Sequence, residues 1–474
     1  MAVVLIALTK TQRNQVLWTT SISYLPLQVL KLHELVGTAQ DIFSSLPDNL
    51  AHHILSDFSF RELARVGGVS KRCREFYLSN PSLDFSSGDA VSRQHQFNLL
   101  NSIDRFMILH GDNRIQHFRI DWDFYAGPSE EVFRTMTRIH ISVRCDVEVL
   151  ELELRLHESD WVMLELPYCK LPYCIYLCGS LRSLLIKRYT VLKVPSFACY
   201  NNFQNLKLKS VRMDEGFCKW ISSSCKYLKE LWLDHVVTVE KFTIESSSLE
   251  SFTVVYPYND FCHLSISGEK LVKIKIDWNF YKLSDGHTTS LIICAPNLKY
   301  LKWIGNLLNY HNFGKLMCLE YAQIFLKHKG EDYDFDNAFE ILCSICRVKV
   351  LILSEATTKI LQLLLREGSM LAAFNDITYL SMHILSLTED LVPVMVSLLK
   401  AMPHLNTLYI NSYPSLQCIN KPKACGYNSK YIGKINKCKI LSPAVSVIIC
   451  NREKYEDKTM GKSFYTVLYH LQDF

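Results

Sequence analysis

The chain has 474 residues, 49% apolar and 21% charged, with a formal net charge of +5. This composition describes a folded protein with room for two or three domains, and the charge is too small to argue for nucleic acid as a partner. No stretch approaches the ~20 apolar residues needed to span a bilayer, so no membrane partner is expected. Met1 to Leu8 is a short apolar run with no basic residue ahead of it, unlike a secretory signal. Residues 1–40 are expected to be an N-terminal leader, disordered rather than folded. Seventeen cysteines, an odd number scattered along the chain, fit reduced thiols in a cytoplasmic or nuclear protein.

Residues 41–85 carry a compact three-helix pattern. Pro47 stands at the first helical turn, where its missing N–H costs nothing, and Leu50, Ile54, Leu55 and Phe58 follow at helical spacing. Phe60, Leu63, Ala64 and Val66 form a second short run, broken by Gly67-Gly68 before Val69-Ser70-Lys71-Arg72. So small a unit cannot bury its apolar face well alone, which suggests that part of that face is meant for a partner.

From residue 86 to about 411 one hexamer recurs: apolar-x-x-apolar-x-apolar. Eleven copies are Ile115/Phe118/Ile120, Val147/Leu150/Leu152, Leu181/Leu184/Ile186, Phe203/Leu206/Leu208, Leu228/Leu231/Leu233, Leu249/Phe252/Val254, Leu271/Ile274/Ile276, Leu298/Leu301/Trp303, Val348/Leu351/Leu353, Ile377/Leu380/Met382 and Leu405/Leu408/Ile410. The fourth to eighth copies are spaced by 25, 21, 22 and 27 residues, within the ~20–29 of leucine-rich repeats. Alternation along a strand sends the last two apolar residues of each copy inward and their neighbours outward. The expected fold is therefore α/β: a small N-terminal helical unit, then a leucine-rich-repeat solenoid with a parallel sheet on its concave face and helical or irregular returns. The step from Leu298 to Val348 is twice a repeat, and residues 305–346 read as an irregular insertion with a degraded copy at Leu316/Leu319/Tyr321. Within it, residues 330–336 read as an acidic loop and 337–346 as a helix. Residues 412–474 lack the hexamer and form an unassigned tail.

Chemistry-bearing motifs are scarce. Cys343-x-x-Cys346 and the group Cys169, Cys174 and Cys178 lack a paired second half for a zinc site, and free cysteine in apolar segments behaves as a small hydrophobe. No nucleophile elbow, phosphate loop or zincin helix appears, so catalytic, cofactor and metal residues are all expected to be none. The outward strand positions say more. Glu151 and Glu153 come early; Lys207, Lys209, Trp232, Lys273, Lys275, Tyr300 and Lys302 follow in the centre. Lys207, Lys209, Lys275 and Lys302 are expected to form one positive strip beside Trp232, suited to an acidic or phosphorylated protein target.

The run from Leu46 to Phe76 resembles an F-box, the module that docks substrate receptors onto the Skp-type adaptor of cullin–RING ubiquitin ligases. One position departs: the family usually has Trp where this chain has Cys73. Pro172 to Leu184, Phe203 to Met213, Ser223 to Leu231 and Cys294-Ala295-Pro296-Asn297-Leu298 resemble successive repeats of plant F-box/leucine-rich-repeat proteins. The resemblance implies that Leu46, Pro47, Ile54, Leu55, Leu63, Val69 and Ser70 supply adaptor contacts or the helices that shape them. It implies a non-catalytic substrate receptor of a Skp–cullin–F-box ligase, holding a protein target through the repeats, with no cofactor. Loss of the indole at Cys73 is expected either to weaken docking or to be absorbed by repacking. Two alternatives stay open: a receptor that seats a small ligand with its target, and a repeat scaffold without a ligase link. Many relatives carry a further C-terminal domain called FBD, which residues 412–474 do not convincingly show.

Overall fold

Short-range punctuation in the first eighty residues is realised as three short helices. The computed structural model describes residues 43–412, with gaps of which 157–170 and 328–340 are the longest, together with 446–451. Helix α1 (Asp48–Leu55) starts after Pro47. Helix α2 (Phe60–Gly67) opens on a capping box, in which the Ser59 backbone N–H donates to Glu62 Oε2 at 2.9 Å. Helix α3 (Lys71–Leu78) opens on Ser70, whose Oγ accepts from the Cys73 backbone N–H at 3.1 Å. Each cap satisfies a backbone donor that the first turn leaves orphaned, which fixes where these eight-residue helices begin.

The described residues group into two compact units, divided between residues 188 and 189. In the first, the three helices lead into strand β1 (Ser82–Ser86), helix α4 (Arg93–His110), β2 (His117–Phe124), α5 (Glu130–Arg144), β3 (Val149–Leu156) and β4 (Ser183–Lys187). The four strands run parallel in chain order. Strand β1 is a further repeat, with Leu83 and Phe85 paired to Phe118 and Ile120 of β2. The hexamer search passes it by because Asn80 holds the leading apolar place; Asn80 is buried and donates from Nδ2 to the Ser82 carbonyl at 2.8 Å.

In the second unit a parallel sheet runs in the order β6 (Asn205–Lys209), β8 (Glu230–Asp234), β10 (Ser251–Val255), β12 (Lys273–Trp278), β14 (Tyr300–Asn306), β16 (Tyr321–Lys327), β17 (Val350–Ser354), β18 (Tyr379–Ile384), β19 (Thr407–Ser412) and β20 (Ser446–Asn451). The short strands β5 (Val191–Leu192) and β7 (Arg212–Met213) pair separately. All eleven hexamers are inward triplets, every residue at most 7% exposed. This is the α/β architecture of a leucine-rich-repeat-type solenoid with helices at its N-terminal end.

Three expectations change. The doubled step after Leu298 holds one regular repeat at Leu319/Ala322/Ile324, three residues beyond the expected triplet, and Tyr321 faces outward. Small Ala322 hides the copy; with it the spacings become 21 and 29 residues. Second, the returns between Lys241 and Asn312 are strands: β9 (Lys241–Glu245), β11 (His263–Ser267), β13 (Ser290–Cys294) and β15 (Tyr310–Asn312) form a second parallel sheet. Their alternating Phe242/Ile244, Leu264/Ile266 and Leu291/Ile293 are buried, the period of strands rather than of helices. Helical returns do occur at α6 (Gly216–Ser224) and α7 (Glu355–Arg366). Third, the sheet reaches past residue 411: β20 pairs with β19, bringing Val447 and Ile449 opposite Leu408 and Ile410. The expected acidic loop at 330–336 and most of the helix at 337–346 lie outside the described residues.

At the ends of β6, β8 and β10 a non-glycine residue takes positive φ: Ser210 (53°), His235 (51°) and Tyr256 (48°). Each backbone N–H donates to the next repeat's carbonyl, of Asp234 (2.8 Å), Val255 (2.9 Å) and Asp277 (2.7 Å) respectively. The left-handed turn is uncommon for such side chains, and the ladder of hydrogen bonds is what holds it.

Candidate interaction surfaces

The helical unit closes a core of its own. Phe43, Ala51, Leu55, Phe58, Leu63, Val66, Cys73 and Phe76 are buried together, with Leu46, Ile54 and Tyr77 packed against them. The rings of Phe43 and Phe76 meet edge to face at 5.7 Å. Ser44 Oγ lies 3.0 Å from Ser70 Oγ, and Arg72 pairs with Asp48, so the starts of α1 and α3 sit side by side. The Arg72 guanidinium lies 4.3 Å from the Phe76 ring centroid and also pairs with Glu75 at 2.9 Å.

The sequence-derived adaptor residues divide accordingly. Leu55 and Leu63 are core, so they can act only by holding the helices; Leu46, Ile54 and Ser70 are half-buried; Pro47 and Val69 are exposed, Val69 at 65%. Leu50, one turn after Pro47 and 48% exposed, belongs to the uncovered set. Its place on the Pro47 turn was the available signal for it. Cys73 is 2% exposed within the core. Its side chain packs inside the unit and presents nothing to the surface.

On the first unit's sheet the outward side chains form an ion network. Arg155 pairs with Asp121, with Asp123 at 3.2 Å and with Glu153 at 3.4 Å; Lys187 reaches Glu153 at 3.0 Å. Burial raises the Asp121 carboxyl above its usual pKa, against the lowering effect of Arg155.

On the second unit's sheet, register lays outward residues in rows across the strands. One row runs Lys207, Trp232, Thr253, Lys275, Lys302, Gln323, Ile352, Ser381, Tyr409. A second runs Lys273, Tyr300, Tyr321, Val350, Tyr379. The expected continuous positive strip is not formed. Strands β8 and β10 separate Lys207 from Lys275, three strand spacings or ~14 Å, and Lys209 lies in a different row opposite Asp234. Both early lysines are also neutralised, Lys207 by Glu230 at 3.3 Å and Lys209 by Asp234 at 2.8 Å.

Lys273, Lys275 and Lys302 do come together. Among the described residues none of the three has a carboxylate within 4.0 Å. The Nζ atoms of Lys273 and Lys275 lie 5.7 and 6.0 Å from the Tyr300 ring centroid, close to the outer limit for cation–π attraction. Tyr300 stacks on Tyr321 with centroids 4.4 Å apart and planes 8° apart. Partial burial, then repulsion from Lys273 and Lys302, lowers the Lys275 ammonium pKa. Burial, then the neighbouring Tyr300, pushes the Tyr321 hydroxyl up to about 12. The site is a positive cluster beside stacked rings, without a carboxylate at ion-pair distance among the described residues; Asp277 and Glu230 act on it only from further away.

Among the described residues no group of three or more His, Cys, Asp or Glu side chains could hold a metal ion, and no helix is long and apolar enough to cross a membrane. Cys169, Cys343 and Cys346 lie outside the described residues.

The fold defines a leucine-rich-repeat-type solenoid preceded in the chain by three short helices. Residues 143–323 match the family described as "FBD-associated F-box protein At5g56370, LRR repeats". The chain is 26% identical over 390 residues to the putative F-box/FBD/LRR-repeat protein At4g03220 of Arabidopsis thaliana, covering 78% of this chain and 74% of that one. It is 26% identical to the F-box/LRR-repeat protein At4g14103 of the same plant, covering 73% and 85%, and 23% identical to the FBD-associated F-box protein At4g13985, covering 79% and 77%. These findings support a plant-type F-box/leucine-rich-repeat protein.

Proposed function

We propose that this protein is the substrate-recognition subunit of a Skp–cullin–F-box ubiquitin ligase. The helical unit binds a Skp-type adaptor, and through it a cullin, while the repeats hold a protein target for ubiquitination. The chain itself performs no catalysis; it raises the effective concentration of target beside the ubiquitin-loaded enzyme. The observation that carries this reading is that the helical unit completes its core yet leaves Pro47, Leu50 and Val69 uncovered at one end. Burying Leu or Val fully contributes about 1.5–3 kcal/mol, so covering the exposed parts of Leu50 and Val69 supplies roughly half that each.

The test is titration of the purified chain with a plant Skp-type adaptor. Wild type binds at micromolar concentration or tighter, and L50D/V69D loses binding while the far-ultraviolet circular dichroism of the repeats is unchanged. A wild-type chain that does not bind the adaptor selects the scaffold reading. The sheet residues Lys207, Lys209, Trp232, Lys273, Lys275, Tyr300 and Lys302 are the proposed target-facing set, with the weight on the last four because the two early lysines are already ion-paired.

A further inference from the structure

The outward face of β12 to β19 changes character along its length. On β12 and β14 it is net basic: Lys273, Lys275 and Lys302 are free of ion pairs among the described residues, and the one acid on that face, Asp277, lies in the next row and acts on Lys302 at longer range. In the corresponding rows of β16 to β19 it carries no formally charged residue. Half-buried Tyr321, Val350, Ile352 and Tyr379 stand there, with Phe325 in the adjacent row, side chains that alternation turns away from the core. The Tyr300–Tyr321 stack marks the boundary, and beyond it the Phe325 ring lies 5.0 Å from His383. Burial, and then the positive charge of Lys302, lowers the His383 pKa, which disfavours its charged form.

A ligand that used only the lysines would leave the apolar zone wet, and an apolar ligand would leave three ammonium groups without a carboxylate at ion-pair distance. We infer that this face holds an extended, two-part protein segment: acidic residues over β12 and β14, then apolar anchors over β17 and β18, the segment crossing the strands. The spacing follows from geometry. Strand β14 lies two strand spacings from β17, and β12 lies four from β18. These are ~10 and ~19 Å at ~4.8 Å per strand, and an extended chain covers them in about three to six residues at ~3.3 Å each. The inference rests on the reading that the sheet faces the target and adds the target's chemical pattern.

Synthetic peptides carrying an Asp-Glu-Asp cluster and a Leu-x-Phe pair test it, the two separated by a Gly/Ser spacer of none to about ten residues. Binding to the full-length chain is read by fluorescence anisotropy. Affinity is greatest at spacers of about three to six residues and falls on raising salt to ~0.5 M. It drops about tenfold or more in K273E/K275E/K302E and in I352D, whereas K219E/K226E, two exposed lysines in and just after α6 and off the sheet, leaves it nearly unchanged. Circular dichroism confirms that each variant is folded. Binding indifferent to spacer length, equal loss from both lysine reversals, or no binding at any spacing overturns the inference. So does equal binding of a phosphoserine peptide lacking the Leu-x-Phe pair, which would make the lysines a simple phosphate site. Adaptor titration of the same samples separates the two claims: adaptor binding without the spacer optimum sinks only this inference, and the reverse sinks only the ligase assignment.

Discussion

Gly305 offers the sharpest test of how closely the repeats are stacked. It lies opposite Trp278 in the β12–β14 pairing, and a Cβ placed on it would fall 2.1 Å from the Trp278 carbonyl oxygen. Ordinary contact begins at 3.4 Å, so Gly305→Ala must part the two strands there by about 1.3 Å or twist one away. A separation of that size takes the local backbone hydrogen bonds beyond bonding distance and loosens Trp278 and Trp303, both buried in the core. Losing one or two such bonds and part of that packing costs roughly 2–4 kcal/mol. Amide hydrogen exchange followed by mass spectrometry localises the effect: peptides covering residues 273–306 lose protection in Gly305→Ala while the three N-terminal helices keep theirs. Gly314→Ala is the control, because its φ is +55° yet a Cβ there meets nothing closer than 4.0 Å. It pays only the left-handed backbone term of about 1 kcal/mol. Unchanged exchange in Gly305→Ala, or a larger effect from Gly314→Ala, refutes the close-approach argument.

Register is tested by Leu231→Ala against Trp232→Ala: the buried leucine costs ~2–5 kcal/mol and the outward tryptophan clearly less, so a larger loss of denaturation midpoint for the tryptophan would reverse the two faces. Cys73→Trp forces an indole into a closed core and destabilises the helical unit by about 1–3 kcal/mol; a rise in stability or tighter adaptor binding would mean that the position is unfilled. Burial lowers the pKa of His52, His110 and His383. The unfolded chain then takes up protons first, so their contribution is intact above the unfolded pKa of ~6.5 and is lost as pH falls from there through the lower folded values. The urea midpoint therefore drops between about pH 7.5 and 5.5, and His110→Asn flattens that drop; an unchanged slope would show His110 to be thermodynamically silent.

How much was legible depended on whether a residue's role is set by neighbours in sequence or in space. The inward triplets were readable because strand alternation is local, and all eleven lie in the core. Copies with a non-standard member escaped: Asn80 ahead of β1 is satisfied by its own turn, and Ala322 of β16 is too small to signal burial. The pattern Ala444-x-x-Val447-x-Ile449 at β20 also fits the hexamer and was available to a wider search. Strand returns were missed because the expectation for repeats is a helical or irregular return. The lysine strip failed for a spatial reason, since sequence order says nothing about which carboxylate on the next strand answers which lysine. The fate of Cys73 was likewise invisible, because its neighbours come from three helices and the turn before them.

On the proposed reading, in which the outward face of the sheet holds the target, the parallel register has a consequence for how such a protein changes its clientele. Each strand contributes one residue to each row, and that residue is separated by alternation from the inward pair that maintains the fold. Exchanging an outward residue such as Gln323 or Ile352 rewrites a single position of the reading surface and leaves its neighbours in place. Selectivity can therefore drift one letter at a time, with little thermodynamic penalty at each step. A helix bundle or an enclosed pocket, where one side chain commonly serves both packing and recognition, has less of that freedom.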